Sequence, residues 1–277
     1  MQSLRSRAVA RTTLPLGQWL SIGWLALIVS LAVLVDLLPI PAADTPDYSA
    51  YLASPSLSHL LGTDELGRDI LSRSLHGARV SLTIAGSTIC LGLIVGTTLG
   101  VLAGYFRGRI DTVVGVLTDT VLAFPVLILI MTVVAVRGAS VEALVVGLAV
   151  GTMPAFIRMA RAHTLTLARR DFVSAARSIG ARHPRVIIGD VLPMIAGPML
   201  VYSLVVAAIV MMAEGSLSFL GYGVPPPAAS WGSMIASGRP VLQQAPHVVV
   251  FPALMLIFTV MAMNVLGDGY ERKRQAR

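Results

Sequence analysis

The 277-residue chain has little charge: only 13% of its residues are Asp, Glu, Lys or Arg, about half of what a soluble domain carries. With a mean hydropathy of +0.79, that scarcity excludes an ordinary water-soluble domain and points to a membrane protein. Hydrocarbon offers no partners for backbone amides, so such a chain crosses either as helices of about 20 residues or as a closed barrel. The apolar segments are long and continuous rather than short and alternating, which selects helices.

Lysine is almost missing. The single lysine, Lys273, follows Arg272, so the glycine–lysine step of a P-loop does not occur and no Walker-type ATP site can form. None of His59, His76, His163, His183 or His247 precedes a Glu, which excludes an HExxH zinc helix. Ser216 and Ser218 stand in GSLSF, so there is no GxSxG elbow. Cys90 is the only cysteine and lies in an apolar run; it allows no intrachain disulfide or thiolate cluster and is expected to be a small buried hydrophobe. The chain is therefore expected to be no enzyme, with neither cofactor nor metal of its own.

Six apolar spans can be laid out. After an N-terminal tail, 1–18, the first runs over 19–38 and is closed by Pro39 and Pro41. It is too long for a secretory signal core and reads as an uncleaved span. A polar loop, 39–78, holds a short amphipathic piece, Asp64 to His76, and leads to a five-span core over 79–267. Span two, 79–104, carries Gly92, Gly96, Gly100 and Gly104 at four-residue spacing, which predicts a groove where another helix backbone approaches closely. Span three, 112–136, contains Asp119 and Pro125; span four, 141–160, has Gly147, Gly151 and a kink expected at Pro154. Span five, 186–212, contains Pro193 and Pro198, and a turn-rich loop over 213–246 precedes span six, 247–267, and a tail, 268–277.

Six spans put both termini on one side. Sixteen of the 21 basic residues fall on that side, against Arg68, Arg73, Arg79, Arg137 and Arg239 on the other. By the positive-inside rule the termini and the 161–185 loop are expected in the cytoplasm, and the net charge of +7 is a topology signal rather than a nucleic-acid surface. Within the spans, carboxylates are the remaining chemistry. A charge at the bilayer centre costs about 2.5–3.5 kcal/mol, so Asp119 and Asp190 must face protein or water. They could serve a proton or ion relay, as in a secondary transporter, or a packing contact, with Asp190 pairing to Arg182 or Arg185. Glu214, in the outer loop, is a candidate for cargo amines or for structural hydrogen bonding.

The longest basic interruption of the C-terminal half is Arg169 to Pro193. Phe172, Ala175, Ala176 and Ile179 recur at helical spacing on one face, with Arg169, Arg170, Arg177 and Arg182 elsewhere. A short amphipathic helix of this kind needs a partner or a membrane surface to cover it.

That stretch carries a resemblance. Ser174-Ala175-Ala176, three residues, Gly180, nine residues, then Asp190-Val191-Leu192-Pro193 resembles the EAA loop of ABC-importer permeases, E-A-A-x3-G-x9-I-x-L-P, with Ser174 and Asp190 departing from it. HLLGTDELGRDILSRSLHGARVSL from His59 and EGSLSFLGYGVPPPAASW from Glu214 are similar to signatures of the second permease subunit of dipeptide, oligopeptide and nickel importers, and LGDG occupies 266–269. The resemblance implies an all-α polytopic membrane protein with the six-helix type I ABC-importer permease fold, in a bacterial inner membrane. It also implies partners: a second, homologous permease, two cytoplasmic ATPase subunits holding ATP and Mg, and an external substrate-binding protein. The cargo implied is a peptide, with nickel or another small solute as the alternative. Phe172, Ser174, Ala175, Ala176, Arg177, Ile179 and Gly180 are then the residues expected to couple to the ATPase, and Asp119, Asp190 and Glu214 the candidates for the pathway.

Overall fold

The computed structural model describes residues 16–275 along the backbone and 16–269 with side chains, so the first 15 residues of the expected N-terminal tail, with Arg5, Arg7 and Arg11, lie outside the described residues. Among the described residues the chain is helical, with one isolated β-bridge, Thr63 to Asp69. In order, α1 is Leu16–Leu34, α2 Ile70–Leu91, α3 Thr97–Phe106, α4 Gly108–Leu122, α5 Val126–Arg137 and α6 Val141–Leu167. After these come α7 Asp171–Ser178, α8 His183–Val186, α9 Leu192–Phe219, α10 Trp231–Gly238 and α11 His247–Gln275. A π-turn at Gly92–Gly96 joins α2 to α3, and another at Ile187–Val191 joins α8 to α9. Among the described residues, five rods are long and apolar enough to cross a bilayer: Leu16–Leu37, Ile70–Phe106, Val141–Leu167, His183–Phe219 and His247–Gly269. α4 and α5 are together apolar enough for a sixth, broken crossing or a re-entrant pair, and they meet at 87°, at Pro125.

The bundle is organised around α6. Its Phe156, Ile157, Ala160 and Thr164 lie along the glycine groove of span two. A Cβ on Gly96 would stand 2.6 Å from Phe156 Cβ, on Gly100 2.5 Å from the Ile157 carbonyl, and on Gly104 2.8 Å from Thr164 Cβ. On its other side α6 receives α5, where Ile130 and Val126 cover Gly147 and Gly151. Phe156 and Ala160 are fully buried there. Close backbone approach gives helices in lipid the van der Waals contact that the hydrophobic effect supplies in water.

Several expected boundaries move. The second rod starts nine residues earlier than its hydropathy implies, because Asp69 caps α2 by accepting the Ser72 amide. Span four continues to Leu167, which places Arg158 and Arg161 on a helix rather than at its mouth. Residues 213–246 are not all loop: α9 runs to Phe219, and α10 forms where Ser230 and Ser233 make a capping box. The buried role expected for Cys90 is corrected, since its side chain is exposed on the bundle surface. A helix facing lipid is apolar all round, so an apolar run does not separate lipid-facing from core positions.

Candidate functional site

The basic stretch folds into the short helix α7, hung from the end of α6. Its inner face is Val173, 3% exposed, with Phe172 and Ala176 packed on the same core. Ser174, Ala175, Arg177 and Ser178 point away from the bundle, and Ile179 is 87% exposed. Phe172 thus anchors α7 to its own chain, together with Val173, which the sequence pattern missed; Ala175 and Ile179 belong to the free face.

Gly180 ends α7. The Ala181 amide donates to the Ala176 carbonyl and the Gly180 amide to that of Arg177, both at 3.0 Å, a Schellman cap with Gly180 at φ +86°. No atom crowds Gly180, so its conformation, not space, demands glycine. Pro184 then opens α8, and the π-turn before Leu192 and Pro193 lets the Leu192 amide reach the Ile187 carbonyl five residues back. A proline ring would crowd the carbonyl four residues before it, and the wider turn makes room. Tyr105 Oη lies 3.1 Å from His183 Nδ1, and Phe106 meets the His183 ring edge-on, so the exit from α7 is tied to the end of span two.

Asp119 does not stand alone. Arg158 donates to it from Nη2 at 2.9 Å, and both remain largely exposed, 61% for the Arg158 side chain and 71% for Asp119. One turn along α6, Arg161 donates from both Nε and Nη2 to the two oxygens of Asp111. The two-bonded, more covered pair fixes α4 against α6. The single-bonded exposed one is worth about 0.2–1 kcal/mol and opens readily. All four charges line a cleft of about 290 Å³ between α4 and α6. Neither arginine stands out along the chain, because both count as cytoplasmic charge once span four is ended at 160. The signal for a longer helix is the helical spacing of Ile157, Ala160, Thr164 and Leu167, which carries the buried face of α6 past both arginines.

Asp190 sits in the second π-turn, and no ion pair reaches it among the described residues. Glu214 is 2% exposed and accepts from Ser230 Oγ at 2.6 Å and Ser218 Oγ at 3.0 Å. Next to Ser230, the buried Trp231 donates its backbone amide to Ser81 Oγ and its indole N–H to the Ser74 carbonyl, which seats α10 on α2. The HLLGTDELGRD stretch is likewise a folded cap. Asp64 accepts from the amides of Leu66 and Arg68 and from the Arg68 guanidinium, while Asp69 accepts from His59 when its Nδ1 carries the proton.

The fold and these sites define a polytopic all-helical membrane protein with a short, largely exposed helix between two of its long ones. The chain belongs to the family of binding-protein-dependent transport system inner membrane components, whose model matches residues 96–273. It is 39% identical over 233 residues to the glutathione transport system permease protein GsiD of Pectobacterium atrosepticum, covering 84% of this chain and 77% of that one. To the di/tripeptide transport system permease protein DppC of Pseudomonas aeruginosa it is 40% identical over 220 residues, covering 79% and 73%. A solved inward-facing structure of the MetNI methionine ABC transporter matches with a TM-score of 0.59 at 20% identity, over 74% of this chain and 95% of that one. The type I ABC permease fold expected from the sequence is thus the fold of the chain.

Proposed function

We propose that this chain is one of two permease subunits of an ATP-driven importer of small peptides, forming half of the translocation pathway in a bacterial inner membrane with both termini in the cytoplasm. Its relatives' names, glutathione permease and di/tripeptide permease, support peptide cargo. The observation that carries the coupling reading is α7: its inner face is seated on the bundle, while Ser174, Ala175, Ser178 and Ile179 are left uncovered. A separate ATPase subunit docks on that face, where small side chains admit a close fit. The engine lies outside this chain, which has no P-loop.

Movement of α7 passes two ways. It enters α6 directly through Leu167, and it enters α9 through the Gly180 cap and the π-turn, a site where a helix bends at low cost. Glu214 holds α10 on α9 rather than touching cargo. Residues around α10 and the folded cap face outside, where a binding protein delivers peptide. Replacing Ala175 with Arg tests this: the bundle should still fold, while co-purified ATPase and ATP-dependent uptake both fall. An unchanged complex with normal uptake would refute docking at α7.

A further inference from the structure

The two ion pairs between α4 and α6 differ in a way that packing alone does not require. Asp111 and Arg161 satisfy each other with two bonds, whereas Asp119 and Arg158 share one and keep most of their surface free. Arg158 therefore retains unused N–H groups, and Asp119 an unused oxygen. Asp119 lies eleven residues into α4, roughly 16 Å along the helix at 1.5 Å per residue, and a carboxylate within so apolar a segment is costly to leave to lipid. The cleft they line also presents Thr118 and an open edge at Gly115.

Resting on the importer reading, we infer that this cleft is a weak contact site for the two charged ends of a zwitterionic peptide, Arg158 taking its carboxylate and Asp119 its ammonium group. A transport pathway must hold cargo well enough to admit it and loosely enough to release it. An exposed one-bond pair meets both needs: each partner neutralises the other when cargo is absent, and the peptide's opposite charges replace that bond one for one. The Asp111–Arg161 pair keeps α4 and α6 in register while the outer pair exchanges.

The test uses the assembled complex with Gly115→Cys in a Cys90→Ala background. Nothing lies within 4 Å of a Cβ at Gly115, so the new thiol enters open space. A negatively charged thiosulfonate reagent should label it, and millimolar dialanine should slow labelling several-fold. N-acetyl-dialanine amide, which has neither charged end, should leave the rate unchanged. Adding Arg158→Gln or Asp119→Asn should keep the labelling and remove the protection. Absence of labelling, equal protection by both peptides, protection by neither, or protection surviving both added substitutions would overturn the assignment. Absence of ATP-dependent uptake by the unaltered complex would instead refute the importer reading, which is read separately from the thiol.

Discussion

Gly100 and Ile157 touch backbone to backbone: a Cβ on Gly100 would come within 2.5 Å of the Ile157 carbonyl oxygen. The oxygen belongs to a helix and cannot turn aside. Gly100→Leu should therefore separate spans two and four and cost on the order of 1–3 kcal/mol or more, read as a lower Tm of the purified protein. Gly86→Ala, where a Cβ meets nothing within 4 Å, is the matched control and should stay within about 0.5 kcal/mol of the parent.

Gly180→Ala should loosen the end of α7 without disturbing the bundle. Left-handed backbone costs an alanine about 1–2 kcal/mol, and the affected bonds are the two capping amides at Gly180 and Ala181. Faster hydrogen exchange confined to 171–181, together with reduced ATPase association, is the expected result. Gly180→Asn should fall between the two, since asparagine tolerates this conformation better.

Glu214→Leu should destabilise the contact of α10 with α9 more than Ser230→Ala. The first leaves the buried Ser230 hydroxyl without its acceptor, at about 1–3 kcal/mol, and the half-buried Ser218 hydroxyl as well, at a smaller cost. The second removes one hydroxyl and one helix cap. Trp231→Ala, emptying a fully buried site, should cost about 3–5 kcal/mol. Thermal unfolding of the three variants, with proteolysis of 220–246 as the local probe, checks the order.

Asp111 and Arg161 should behave as a unit. Asp111→Asn and Arg161→Gln should each lower stability, and the double variant should cost less than the sum of the two, with a coupling of about 1 kcal/mol. The same cycle on Asp119 and Arg158 should give a smaller coupling, because both side chains are more exposed.

Much of this was legible along the chain, because lipid imposes simple rules. Continuous apolar runs and the four-residue glycine spacing each act through local geometry, so the helical class and the groove could be read from residue order, whereas the Schellman turn at Gly180 emerged only in the structure. What residue order cannot carry is which side of an apolar helix meets protein and which meets lipid, since both want the same side chains. Hence Cys90 turned out exposed; and in the polar stretches long-range packing decided, so that Phe172 and Ala176 joined Val173 against the chain's own core while Ile179 stayed free, and the loop around Trp231 folded as a helix inserted against α2. The two Asp–Arg pairs are of the same kind: Asp111 and Arg161 stand 50 residues apart, Asp119 and Arg158 39. Only the packing of α4 on α6, set by the break at Pro125, decides that they meet.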